Sequence, residues 1–567
     1  MTESRPVAEQ LPLARLLPSD AKLAVAQGGD GHTVLTVDRE HLLPVLRAFK
    51  ERPELACDLL VDICGVDYPG REQRFEVVYH LASLERGHRF RVRVPLAEDS
   101  PTVPSAYEVW KAADWFEREA YDMFGIRFEG HPNLKRILTH EAFQGHPLRK
   151  DYDPARRWLL TDAETMVPEW AKETPGGDGQ FETQVLNLGP SHPATHGTLR
   201  TVVRLDGEVI TQAECEIGYL HRCFEKMAET HEWQQVIPYT DRLNYCSSMI
   251  NGVGYALAVE KMLGITAPPR AQAVEVILSE LSRIMDHCVC LGANLVDLGA
   301  LTNFWYFFQP REEIYGLLEA CAGGRLTVSY VRIGGLAHDV PEDFAARVRY
   351  LLEYIPKFLD DVDRLVTSNR IFRDRTEGVG VISAEDAVAW GWTGPCLRAS
   401  GVPYDVRKAH PYLGYERYDF DVPVASTGDT YARYLVRMEE MRQSLRIVRQ
   451  AVDMLPDGPV ITDNHHVALP PKSKVYNEME ALIWHFKLIF EGIRVPPGDA
   501  YSFTEGANGE LGYYIVADGG GKPYRIKVRP PCFAVFQAYP HMLVGHMIPD
   551  SIAILGSLNI IAGELDR

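Results

Sequence analysis

The sequence predicts an α+β N-terminal domain joined to a mainly α long-helix bundle with small β elements. Three observations carry that reading. The first part of the chain alternates apolar and polar residues with a period of two, broken by short helical stretches. The second part holds long runs with apolar residues at three- and four-residue spacing. Between them lies Glu173-Thr-Pro-Gly-Gly-Asp-Gly-Gln180, a Gly- and acid-rich tract of linker composition. At 567 residues the chain exceeds one core, and it divides into residues 1–155, a linker over 156–180, and residues 181–567.

In the first domain, residues 42–50 form a short amphipathic helix, with Pro44 tolerated because it falls in the first turn. Residues 74–81 and 88–94 alternate as strands around a turn at Glu85-Arg86-Gly87. Glu117, Arg118, Glu119 and Asp122 share a short helix. Such a cluster has the look of a catalytic site, but charges three and four apart more often brace a helix or meet a partner protein, so the segment is assigned a scaffolding role. In the second domain, helices are expected over residues 241–263, 271–298, 341–368, 430–455 and 473–491, the second opened by Pro268-Pro269. An α/β tail follows.

The most informative stretch is Gly189-Pro-Ser-His192-Pro-Ala-Thr-His196-Gly197, set between two β-branched, alternating segments. His192 and His196 therefore occupy a short turn, stiffened by two prolines and released by glycines at either end. Pro193 inside the His-x-x-x-His spacing, and the lack of a Glu after His192, argue against a zinc pair on a helix face. A rigid loop presenting neutral imidazole donors suits a ligand that accepts hydrogen bonds at carbonyls. Two solvated turn histidines are the alternative on these residues alone.

Two other segments carry candidates. Tyr245, in Asp241-Arg242-Leu-Asn-Tyr245-Cys-Ser-Ser248, sits one turn into an expected helix, where a phenol is either packed or turned into a cavity. Asp286 and Asp297 lie eleven residues apart on another helix, about three turns, and share a face. Asp297, among Leu and Val, either ends its helix or faces a specific partner, and a histidine is the sharper choice.

Composition excludes several classes. A net charge of −19 disfavours a nucleic-acid partner. No apolar run approaches the ~20 residues that cross a bilayer, and the N-terminus lacks a signal pattern. The chain is expected to be intracellular, with any membrane role arising through partners. The ten cysteines are scattered without a Cys-x-x-Cys pair, and Cys288 and Cys290 diverge by about 200° around a helix. They read as small buried hydrophobes, and no metal site is expected. P-loop and dinucleotide fingerprints are missing.

Taken together, Gly189-Pro-Ser-His-Pro-Ala-Thr-His-Gly197, Ile217-Gly-Tyr-Leu-His-Arg222, Leu257-Ala-Val-Glu-Lys261, Arg398-Ala-Ser-Gly-Val402, Tyr404-Asp-Val-Arg-Lys408 and Gly563-Glu-Leu-Asp-Arg567 resemble the D-type (49 kDa) subunit of bacterial NADH–quinone oxidoreductase, respiratory complex I. Glu117-Arg-Glu-Ala-Tyr-Asp-Met-Phe-Gly125, Gly130-His-Pro132, Arg136-Ile-Leu138 and Pro147-Leu-Arg-Lys-Asp-Tyr152 resemble its C-type (30 kDa) counterpart. The likeness covers roughly residues 30–152 and 181–567, so the chain resembles a fusion of the C and D types.

The resemblance implies a bundle of the nickel–iron hydrogenase large-subunit type. The paired thiolates of such hydrogenases are missing at Arg242–Ser248 and at Ser557–Gly563, so hydrogen activation is excluded. The resemblance implies instead that Tyr245 and His196 contact a quinone headgroup, with His192 beside them and Asp297 paired to His196. It places Arg222 near the terminal iron–sulfur cluster of a partner. FMN and iron–sulfur clusters belong to partner proteins, and this chain binds none. The implied partners are the small cluster-bearing B-type protein, the I-type protein, and the membrane proteins of the H and A types. The implied location is the cytoplasmic side of the bacterial inner membrane, as a peripheral component. The resemblance also shows one departure: members of that family usually carry a His within a position or two after Gly324-Arg325, whereas the chain reads Leu326-Thr-Val-Ser329.

Overall fold

The structure, a computed structural model, describes residues 13–18, 23–155, 170, 184–192 and 195–567. The expected linker, Trp170 apart, lies outside the described residues.

The N-terminal part is built on five strands: β1 (Leu23–Gln27), β2 (Thr33–Val37), β3 (Leu59–Asp67), β4 (Phe75–Ala82) and β5 (Arg89–Leu96). Their order is β1-β2-β5-β4-β3, antiparallel except for the parallel β2/β5 pair. The expected hairpin is β4/β5, in register with Val77 opposite Val94, and its turn closes where Gly87 N–H donates to Ser83 O at 3.0 Å. Helix α1 (Leu42–Glu51) joins β2 to β3 and buries Leu42, Val45, Leu46 and Phe49, the face its spacing predicts. Helix α2 (Ala113–Phe124) ends at Gly125, whose φ of +75° supplies the left-handed cap.

Every residue of β3 is buried, which a sheet with one solvated face would not produce. Alternate residues face opposite ways: Leu60 and Ile63 join the core beneath α1 and α2, whereas Leu59, Val61 and Val66 pack on Tyr501, Tyr514 and Val516. Those last residues belong to a C-terminal antiparallel sheet of β9 (Gly498–Gly506), β10 (Gly509–Ala517) and β11 (Arg525–Arg529). The two parts of the chain therefore meet sheet on sheet. Buried ion pairs lock the stack: Arg89 grips Glu510 at 2.9 and 2.6 Å, Arg91 and Arg93 reach Asp499, and Glu119 on α2 takes Lys527 at 2.6 Å and Arg567 at 2.9 Å. The acidic cluster on α2 thus has a scaffolding role, with Glu119 bracing the C-terminal part of the chain rather than its own helix.

The bundle centres on α4 (Pro269–Asp297), packed against α5 (Leu301–Ala322), α7 (Thr430–Asp453) and α9 (Ile548–Leu558). Helices α3 (Ser248–Leu263) and α6 (Phe344–Val362) flank it. Three expectations change. Residues 241–263 are not one helix: Asn244 Oδ1 accepts the Cys246 N–H at 3.2 Å, a local bond that turns Tyr245–Ser247 into a separate 3-10 turn before α3. The stretch 473–491 breaks at Glu478, which is extended, leaving α8 (Met479–Glu491) separate. Helix α5 was not expected at all, because its first half is apolar around its circumference and Pro310 sits inside it. Among the described residues no helix is long and apolar enough to cross a membrane.

Candidate functional site

The histidine loop connects β6 (Gln184–Leu188) to β7 (Arg200–Asp206), which pair antiparallel with β8 (Val209–Glu216) beyond. Its ends are drawn together by Ser191 N–H donating to Gly197 O at 2.6 Å and Thr195 N–H to His192 O at 3.0 Å. Gly189 has a φ of +81°, and a Cβ there would lie 2.1 Å from Leu199 O, so only glycine permits this closure. His196 itself holds a φ of +50°, a left-handed conformation that a non-glycine residue adopts only when its surroundings fix it. His192 is exposed at the rim, while His196 is half-buried.

What fixes His196 is α4. Asp297 is that helix's last residue, and its Oδ2 lies 3.4 Å from His196 Nε2. Among the described residues neither atom has another hydrogen-bond partner. Both sequence alternatives for Asp297, a helix end and a specific partner, hold at once.

Tyr245 lies in the 3-10 turn that abuts the same helix through Ser247 Oγ, 3.1 Å from Asp286 Oδ2. The ring lies along Gly563, where an added Cβ would meet it at 3.5 Å. The residue remains 37% exposed, and burial of the rest pushes its phenol up to about 12, which keeps it protonated and a donor at neutral pH. His196 and Asp297 are thus brought together, and Tyr245 lines the same helix without touching that pair.

A clasp missed in the sequence orders the loop at Arg222. The Asp566 carboxylate accepts Gly218 N–H at 3.0 Å and Leu220 N–H at 2.8 Å, its backbone oxygen faces His221 Nδ1 at 2.7 Å, and Arg222 N–H donates to Arg567 O at 3.2 Å. Gly218 has a φ of +97° and packs on the N-terminal part so closely that a Cβ would sit 2.4 Å from Leu138 O. The Arg222 side chain donates to Tyr239 O at 2.8 Å, and burial with Arg242 nearby lowers its pKa. Ser329 bonds Asp241 through N–H at 2.7 Å and Oγ at 2.5 Å. Burial pushes that Asp241 carboxyl up to about 6. Cys288 and Cys290 diverge as expected, toward Met441 and Gly556 O. Among the described residues no three His, Cys, Asp or Glu side chains gather as metal ligands.

Comparison with known proteins agrees with the two-part build. Residues 35–157 match the family of the respiratory-chain NADH dehydrogenase 30 kDa subunit, and residues 297–567 that of the 49 kDa subunit. The chain is 52% identical to the NADH-quinone oxidoreductase C/D subunit of Bdellovibrio bacteriovorus, over 95% of both chains. It is 40% identical to the C/D subunit of Psychrobacter cryohalolentis, over 96% of this chain and 95% of that one. The D 1 subunit of Sorangium cellulosum is 54% identical over 68% of this chain and 96% of its own length. The sheet-stacked halves and the matches to both define a two-part component of a multisubunit respiratory oxidoreductase. The chain belongs to the family of NADH-quinone oxidoreductase C/D subunits.

Proposed function

We propose that this chain forms the quinone headgroup site of a proton-translocating NADH:quinone oxidoreductase, with His196 and Tyr245 as donors to the two quinone oxygens. The observation that carries the reading is the His196–Asp297 pair: a half-buried imidazole, held in a strained loop, facing a carboxylate at a helix end. A quinone that takes two electrons becomes a dianion unless protonated, so donors aimed at both oxygens stabilise the developing charge. Asp297 fixes the imidazole's orientation through its 3.4 Å contact with Nε2. The partly exposed Tyr245 phenol is the second donor, and His192 lies at the loop's outer edge.

In this reading the bundle is of the nickel–iron hydrogenase large-subunit type, and the domain boundaries fall at 155 and 181. Electrons arrive from the terminal iron–sulfur cluster of the small B-type protein, near Arg222. The I-type protein and the membrane proteins of the H and A types complete the surroundings. FMN and the other clusters sit in partners, and the chain is peripheral, on the cytoplasmic side of the inner membrane. The test is Tyr245→Phe in the assembled complex. Loss of one oxyanion donor costs ~10²-fold in rate, so quinone reduction collapses while NADH oxidation by ferricyanide continues. Asp297→Asn is milder, since the imidazole stays. Near wild-type quinone reduction by Tyr245→Phe overturns the assignment.

A further inference from the structure

The sheet that carries the histidine loop has two unlike faces. Leu186, Val203 and Ala213 stand side by side on one, and with Leu205 and Ile210 they join the hydrophobic core. On the other, the register sets Asn187, Val202 and Glu214 in one row and Val185, Arg204 and Gln212 in the next. Polar and charged side chains make this the outer face. Val202, in the middle of it, is nonetheless only 1% exposed, so it is covered from outside the sheet.

The group in position to cover it comes from the join between the two parts of the chain. Trp170 donates its indole Nε1–H to Glu214 Oε2 at 2.8 Å, and Glu214 is the residue directly opposite Val202. Arg204, two residues further along β7 on the same face, holds its guanidinium carbon 5.1 Å from the Trp170 ring centroid and donates to the Trp170 backbone oxygen. Among the described residues Arg204 has no carboxylate partner, and the electron-rich face of the indole stands where one would be. The second Glu214 oxygen pairs with Lys135 of the N-terminal part. One carboxylate thus ties together the N-terminal part, the tether and the sheet.

We propose that the outer face of the β6–β8 sheet is a docking surface for the chain's own tether, with Trp170 as the anchor that covers Val202. The surface suits an indole in each of its parts. An apolar spot takes the ring, a carboxylate held by Lys135 takes its single N–H, and a guanidinium lies over its face. The tether therefore does more than limit how far the halves separate, because it supplies a side chain to a junction that neither half completes. The inference concerns how this sheet is held and stands apart from the quinone reading.

Photo-cross-linking of the assembled complex locates the anchor. Trp170→p-benzoylphenylalanine keeps an aromatic body at the position, and on irradiation its cross-links are expected within residues 200–216. Cross-links that fall on a partner protein or elsewhere in this chain overturn the proposal. Hydrogen exchange over residues 200–216 then tests the bonds, with assembly checked by NADH:ferricyanide activity. Trp170→Ala removes the cover and the hydrogen bond together, and exchange there is expected to quicken about tenfold. Trp170→Phe keeps a ring beneath Arg204 but has no N–H to give, so its effect is smaller. In a Glu214→Ala background Trp170→Phe should add nothing, since the acceptor is already gone. Wild-type exchange in Trp170→Ala, or fully additive effects of Trp170→Phe and Glu214→Ala, overturns the docking.

Discussion

Glu119→Gln tests how the C-terminal clasp is held. Glu119 is 4% exposed and bonds two buried cations from the other part of the chain, Lys527 at 2.6 Å and Arg567 at 2.9 Å. Removing one member of a buried ion pair leaves an uncompensated charge and costs about 3–5 kcal/mol. Here two cations are orphaned, but Asp62 stands 3.8 Å from Lys527. Burial holds that carboxyl up at about 7, so it is partly protonated in the native protein and ionises to replace the lost charge. The expected loss is therefore near the lower bound, about 3 kcal/mol. Arg567 would keep its bond to Val528 O at 3.2 Å, and it adjoins Asp566, which holds the Gly218 and Leu220 amides. The consequence should be local. If about 1.4 kcal/mol of the loss reaches the clasp, hydrogen exchange at those two amides quickens about tenfold. Melting of the purified complex reads the global term, and exchange mass spectrometry over residues 217–222 reads the local one. Exchange at Gly218 and Leu220 that stays at wild-type rates in a measurably destabilised variant refutes the link between Glu119 and the clasp.

Two further outcomes follow from buried groups. Gly218→Ala forces a Cβ to 2.4 Å from Leu138 O at a φ of +97°, so the variant complex should melt lower by about 1–3 kcal/mol, read by thermal denaturation. Glu260 is 5% exposed and, among the described residues, its side chain accepts only the Gly334 N–H, at 2.7 Å; burial pushes its carboxyl up to about 7. A raised carboxyl contributes stability that is full below its unfolded pKa of about 4.3 and is lost as pH rises through about 7. Glu260→Gln should therefore flatten about 3 kcal/mol of pH-dependent stability over that window, measured by urea unfolding at several pH values.

Much of the site was legible because its signals are local. The prolines and glycines around His192 and His196 announced a rigid turn, and the position of Asp297 at the end of a periodic run announced a carboxylate facing something specific. The turn at Tyr245 was not legible, since apolar periodicity runs through residues 241–263 and only the Asn244 side-chain bond interrupts it. Helix α5 was hidden by aromatics on all sides and by Pro310, which the period-based argument reads as a stop. The Asp566 clasp joins residues 346 and 348 positions apart, a pairing that no local pattern encodes. The sheet-on-sheet stack was hidden for the same reason, although the apolar residues on both faces of β3, interrupted by Asp62, are its trace in the sequence.

That stack bears on what fusing the two halves achieves. The Sorangium cellulosum relative aligns with only 68% of this chain yet over 96% of its own length, so a D-type partner exists as a chain of its own. In such an organism a surface like that between β3 and the C-terminal sheet would have to form by encounter between two molecules. In the fused chain, encounter is intramolecular, at an effective concentration that a short tether sets in the millimolar range. The covalent join therefore governs how fast and in what ratio the halves meet. Once Leu59, Val61 and Val66 lie against Tyr501 and Tyr514, the buried faces hold the halves together, and a cut in the tether would leave them associated.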